Sequence, residues 1–233
     1  MASETSGNTD IQTAVRLADN SIEILTNTDI EDGKGFLSDR IVAFLGRVVS
    51  LKNSYTANNS NNVKNLALEL ALRVGFRADE LKSLGYAAVL HDIGKIVIKE
   101  SITDKPAQLT KDECHMMKQH VLFGYEIIQP LGLDPLIGEV VLYHHESYDG
   151  SGYLAGMKGD VIPLAARIVK IADTFDALTS IRPYRAAYSP AQAIQILKEE
   201  RHHFDPFLLD EFLKWIEIRF GTTCNDATCS PAK

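Results

Sequence analysis

The chain has 233 residues, 45% of them hydrophobic, and a formal net charge of −7. That length and apolar content suffice for one large domain, or one domain with a short appendage. The acidic balance argues against non-specific binding to a nucleic acid polymer or an anionic membrane. Three cysteines make no disulfide framework, and charges at Arg47, Arg73 and Asp92 interrupt the apolar runs too soon for a membrane span.

Met1 to Asp10 is polar and acidic, lacks the basic and apolar regions of a secretory leader, and reads as a frayed terminus. Residues 11–28 carry Ile11, Val15, Leu17, Ile22, Ile24 and Leu25 in a helical pattern, broken by Asp32-Gly33-Lys34-Gly35. Ser38 is a candidate cap for a second helix with Ile41, Val42, Leu45, Val48 and Val49 on its apolar face. These two helices form an N-terminal appendage, residues 1–54, too short for a core of its own. An Asn-rich patch, Asn58 to Asn62, leads into a helix through Val63, Leu66, Leu70 and Val74 that ends at Gly75. Ala78 to Asp92 is predicted as the central helix. Thr110-Lys111-Asp112-Glu113 is a capping box that starts a helix reaching about Gln129.

Asp134-Pro135 opens a helix ending in His144-His145, and the glycine-rich stretch Ser147 to Asp160 is a loop. Ile162 to Ser180 is a long helix with Asp173 and Asp176 among its apolar residues. Ser189-Pro190 and Asp205-Pro206 are cap-plus-proline helix starts. Nothing alternates with the period of a strand, so the fold class is all-α. Residues 222–233 are a polar tail in which Cys224 and Cys229 are expected as free thiols of a reducing cytosol.

The apolar run Leu81, Leu84, Ala87, Ala88 and Leu90 delivers His91-Asp92 together at a buried helix end, where Gly94 can turn the chain. Adjacent helical residues point to different sectors. The doublet therefore suits two neighbouring metals, with Asp92 able to bridge both and His91 serving one. His91, Asp92, His120, His144, His145 and Asp173 come from four helical segments and lie amid apolar residues, where unpaired imidazoles and carboxylates are costly. Metal ligation explains them, and the mixed donors suit iron, manganese, zinc, cobalt or nickel rather than calcium.

The blocks His91-Asp92-Ile93-Gly94-Lys95, His120, His144-His145-Glu146-Ser147-Tyr148-Asp149-Gly150-Ser151-Gly152-Tyr153 and Asp173-Thr174-Phe175-Asp176 through Arg182-Pro183-Tyr184-Arg185 resemble the HD-GYP subgroup of the HD superfamily, over about residues 55–220. The resemblance implies an HD-superfamily helical bundle at residues 55–221, cytoplasmic and bacterial. It implies hydrolysis of cyclic di-GMP to pGpG or GMP at a centre of two divalent ions, iron or manganese. His91, Asp92, His120, His144, His145 and Asp173 match the metal ligands, with Asp92 as the bridge. Lys95 matches the lysine beside the scissile phosphate, Tyr153 the tyrosine of the Gly-Tyr-Pro motif, and Arg182 and Arg185 basic residues near the substrate phosphates. Diguanylate cyclases or other signalling proteins, and a second copy of the chain, are its candidate partners. Two departures stand out. Leu154 replaces the motif proline, and Asn59 stands where the family carries a histidine, leaving the two-metal set one imidazole short. Tyr55 stands where three-metal members carry an acid. These departures keep open a second reading, a degenerate module that binds the nucleotide or a partner with little turnover.

Overall fold

The computed structural model describes residues 33–52, 54–181 and 185–221, with side chains described outside 33–36, 50 and 54–59. The expected helix at 11–28, Arg182 and the tail cysteines lie outside the described residues. So do the side chains of Tyr55 and Asn59.

The all-α expectation holds: the described residues form helices and connecting turns, with no strand assigned. The long helices are α1 (Gly33–Lys52), α2 (Ser54–Arg73) and α3 (Ala78–Leu90). A 3-10 turn, Ile93–Ile96, and a single-turn helix α4 (Glu100–Thr103) lead to α5 (Lys111–Lys118) and α6 (His120–Ile128). Then come α7 (Pro135–Tyr143), α8 (Leu164–Thr179), α9 (Pro190–Glu199) and α10 (Pro206–Phe220). The starts follow the sequence signals. Thr110 Oγ1 accepts from the Glu113 amide in a reciprocal capping box, Ser189 does the same with Gln192, Asp134 accepts from the Leu136 amide at the start of α7, and Asp205 accepts from the Phe207 and Leu208 amides at the start of α10.

Three boundaries differ from the sequence reading. Ser38 lies inside α1, and α2 begins at Ser54, so the Asn-rich patch is helical rather than a leader. The helix predicted from Thr110 to Gln129 is two helices, parted at Gln119. The cause is local: the Met117 carbonyl is taken at 2.7 Å by the Nδ1 of His120, so a side chain competes for the helical acceptor.

The core is the shared interior of α2, α3, α7, α8, α9 and α10, where Leu70, Leu84, Leu90, Ile168, Leu197 and Phe212 are fully buried. Helix α1 joins it through Val42 and Val49, and approaches α3 so closely at Gly46 that an added Cβ would meet Val89 Cγ1 at 2.9 Å. Lys52 closes the far end of α1 by donating to the carbonyls of Ile96 and Ile98. These contacts tie α1 to the turn that follows the central helix. Among the described residues no helix is long and apolar enough to cross a membrane.

Candidate metal centre

His91, His120 and His144 each sit at a helix end, beside a backbone carbonyl of the preceding turn. His91 follows α3 and its Nδ1 lies 2.8 Å from the Ala88 carbonyl. His120 opens α6 with Nδ1 on Met117 O, and His144 follows α7 with Nδ1 at 3.0 Å from Val140 O. A carbonyl can only accept, so each Nδ1 carries the hydrogen and each Nε2 keeps its lone pair when the ring is neutral. All three Nε2 atoms, with Asp92 Oδ1, are buried and make no hydrogen bond among the described residues. Polar atoms left so would each cost on the order of 1–3 kcal/mol. Convergent imidazole nitrogens and a carboxylate oxygen are what a first-row metal takes, so the residues fit a metal.

The backbone holds these segments in contact. A Cβ on Gly94 would fall 1.9 Å from the His120 carbonyl oxygen and 2.4 Å from the Gly124 amide. The sequence reading gave Gly94 a turn; its larger role is to let the turn after Asp92 press against the start of α6. Gly124 in turn faces Val141 of α7, so three ligand-bearing segments meet at two glycines.

Asp92 lies at the middle, 3% exposed, with its two oxygens facing different neighbours. Oδ1 is 3.3 Å from His120 Nε2 and 3.9 Å from His144 Nε2. Oδ2 is 3.3 Å from His91 Nε2 and 2.5 Å from Lys95 Nζ, and His91 Nε2 lies 3.8 Å from Asp173 Oδ1. Asp92, His120, His144 and His145 each offer a ligand atom within 4.8 Å of the others. Burial alone would raise the Asp92 carboxyl, but Lys95 and His91 override it and hold it well below the usual carboxylate range. Burial likewise lowers His120, and burial with neighbouring imidazoles pushes His144 and His145 well below the ordinary value. These three rings are therefore neutral at neutral pH, the state a metal needs. For His91 burial lowers the pKa, but the Asp92 and Asp173 charges outweigh it and raise it to about 9.

The glycine-rich loop covers this cluster. Tyr153 stacks on His145 with ring centroids 4.8 Å apart, and Lys118 Nζ lies 4.8 Å from the Tyr153 ring. Burial and the Asp92 and Asp173 carboxylates push the Tyr153 phenol up, so it stays a hydroxyl donor. Glu146, left without assigned chemistry in the sequence reading, proves to be buried and to accept from the amides of Ala155, Gly156 and Met157. Gly152 fits only without a side chain, since its Cβ would meet the Ser147 amide at 2.3 Å. Asp149 accepts from the Ser151 amide and hydroxyl and lies 3.3 Å from His203 Nδ1, while Tyr148 N donates to His203 O. Neither Glu146's three amides nor the His203 latch could be read from spacing, because both depend on how the loop folds back.

The structure thus brings together His91, Asp92, His120, His144, His145, Asp173, Lys95 and Tyr153. Arg185 stands apart: its guanidinium donates to the Ala177 and Leu178 carbonyls at the end of α8 and lies over the Tyr188 ring.

The HD domain family profile matches residues 43–208. This chain belongs to the HD domain family. The chain is 39% identical over 176 residues to the cyclic di-GMP phosphodiesterase response regulator RpfG of Xanthomonas campestris pv. campestris, covering 73% of this chain and 46% of the relative. It is 36% identical over 162 residues to 3'3'-cGAMP-specific phosphodiesterase 3 of Vibrio cholerae, covering 70% of this chain and 35% of the relative. The chain therefore spans less than half the length of these relatives. In fold it is similar to Bd1817, an HDG"Y"P protein of Bdellovibrio bacteriovorus, with a TM-score of 0.60 at 17% identity, over 92% of this chain and 75% of that one.

Proposed function

We propose that this HD domain is an HD-GYP-type phosphodiesterase that hydrolyses cyclic di-GMP to pGpG or GMP. The observation that carries the reading is the set of buried Nε2 atoms of His91, His120 and His144 that converge on Asp92 without a hydrogen-bond partner among the described residues. Two divalent ions, iron or manganese, would be held by His120, His144 and His145 on the Asp92 Oδ1 side and by His91 and Asp173 on the Oδ2 side, Asp92 bridging. Bound there, such ions supply Lewis-acid polarisation of a phosphoryl oxygen and acidify a water to serve as nucleophile.

The chain's own residues do the remaining work. Lys95 Nζ, on Asp92 Oδ2 and 27% exposed in its side chain, can reach a phosphate above the cluster and neutralise charge building on its oxygens. Tyr153, held against His145, donates its hydroxyl to the same group. Water adds to phosphorus, the bond from phosphorus to the 3'-oxygen breaks, and that oxygen leaves with a proton. Arg182 and Arg185 are assigned to the substrate phosphates, a role for which Arg185 would have to leave the Ala177 and Leu178 carbonyls at the end of α8. The same reading gives residues 1–54 as an appendage, 55–221 as the hydrolase unit, 222–233 as a tail, and a cytoplasmic setting in which a second copy or a diguanylate cyclase is a partner.

Asn59 favours a second reading, a module that binds the nucleotide with little turnover. An amide oxygen is a poorer ligand than imidazole for these metals. One experiment decides: metal-loaded protein incubated with cyclic di-GMP and, separately, with 3'3'-cGAMP, with products resolved by chromatography. Linear pGpG or GMP supports the hydrolase. Tight nucleotide binding with no linear product supports the second reading, and neither result removes both.

A further inference from the structure

Asp149 and His203 latch the glycine-rich loop to the turn before α10. A latch needs one imidazole, and the structure brings two. His202 and His203 belong to the 3-10 turn Arg201–His203, between α9 and α10. Consecutive side chains of such a turn point about 120° apart. Here the two rings nevertheless approach to 4.0 Å between centroids, with their planes tilted by 44°. Asp149, His202 and His203 each offer a ligand atom within 4.8 Å of the others, and none of them belongs to the cluster around Asp92.

The carboxylate is set in advance. Asp149 Oδ1 accepts from the Ser151 amide at 3.0 Å and from the Ser151 hydroxyl at 2.7 Å, while Oδ2 lies 3.3 Å from His203 Nδ1. Hydrogen bonds to one oxygen are what orient a ligand carboxylate. Two donors bound to one tetrahedral ion sit roughly 3.4 Å apart, so Asp149 and His203 already have the spacing of neighbouring ligands. The backbone holds them there, since Tyr148 N donates to His203 O at 2.9 Å. His202 is exposed, so its ring can swing to the third position. Ser151 spends its hydroxyl hydrogen on Asp149, so the hydrogen between its Oγ and His203 Nδ1, 3.1 Å apart, belongs to the ring. An ion takes the place of that hydrogen, and the neutral ring then carries its proton on Nε2.

We propose that Asp149, His202 and His203 form a second metal site, which takes zinc. Two imidazoles and one carboxylate suit that ion and disfavour calcium or magnesium, and water fills the fourth position. The ion staples the loop that carries Tyr153 to the α9–α10 turn, and so stiffens the cover of the central cluster without sharing a ligand with it. With three ligands at the surface, the site fills when zinc is supplied rather than during purification without added metal.

Equilibrium dialysis of the full chain against buffered free zinc, followed by elemental analysis, tests the site with His202→Ala beside the wild type. His202 is exposed and takes no part in the core, so the substitution leaves the fold and the central cluster as they are. The wild type should bind one zinc ion more than His202→Ala, and Asp149→Asn should lose the same ion. Hydrogen exchange reads the staple: zinc should slow the amides of Tyr148 to Tyr153 about 10-fold more in the wild type than in His202→Ala. Equal zinc content in the wild type and His202→Ala overturns the site, and equal slowing of the loop overturns the staple. The comparison subtracts whatever the Asp92 cluster holds, so its outcome is independent of the hydrolase reading.

Discussion

The two oxygens of Asp92 face unlike surroundings. On the Oδ1 side stand His120 and His144, 1% and 0% exposed, with His145 beside them, all three kept neutral by burial. On the Oδ2 side stand His91, whose ring is drawn toward the protonated form by Asp92 and Asp173, Lys95, and the more open Asp173. The first side presents ready lone pairs. The second has a lysine already on the carboxylate, and under the proposed function it is the side whose histidine is replaced by Asn59. Under the proposed function one carboxylate would serve a tight site and a loose one, and the difference would lie in the neighbours of its two oxygens.

Breaking the tight side should cost most. His144→Ala removes a buried donor that no water-exposed group can replace, and turnover of cyclic di-GMP should fall about 1000-fold, roughly 4 kcal/mol in the barrier. Elemental analysis of the same variant should show metal lost from the Oδ1 side. Lys95→Ala comes next. Its metal content should match the wild type while turnover drops about 100-fold, the scale of losing one charge-stabilising donor; an unchanged rate would remove Lys95 from the chemistry. Asn59→His sharpens the contrast from the loose side. Added imidazole should raise occupancy of the second ion and increase turnover a few-fold, read by titrating metal against rate for both proteins. Occupancy and rate equal to wild type would mean that another group completes that side.

The smallest effect belongs to the loop latch, which touches neither side directly. Ser151 hydrogen bonds, with His203 nearby, hold the Asp149 carboxyl at about 2, against 3.8 for a free aspartate. A lowered carboxyl stabilises the fold in full above pH 3.8, and that contribution is lost as pH falls through about 2. Wild type and Asp149→Asn should therefore differ slightly in denaturant midpoint at pH 6 and converge on acidification. A difference that persists at pH 2 would show that the latch is not electrostatic.

The ligand set was readable because it breaks a rule that sequence makes visible: His91 and His144 are ionisable residues placed at the ends of apolar helical runs, and His120 is one set among apolar residues within a predicted helix. Capped starts at Thr110, Asp134, Ser189 and Asp205 were readable for the same reason, as each signal is local. What escaped depends on distant segments meeting. The break at Gln119 follows from His120 taking a backbone carbonyl. Gly94 looks like a turn glycine until α6 is seen against it, and Glu146 looks like a loop acid until three amides fold back onto it. Arg185 shows the same limit. The family resemblance puts it beside the substrate phosphates, whereas in the structure its guanidinium rests on the Ala177 and Leu178 carbonyls.

The central claim is that one carboxylate joins two metal sites of unequal strength. Metal stoichiometry of the chain purified without added metal or chelator, measured beside Asp92→Ala prepared identically, tests it most directly. The wild type should carry one ion firmly and a second that is lost on dialysis, and Asp92→Ala should carry neither. Undiminished metal in Asp92→Ala would contradict the bridge.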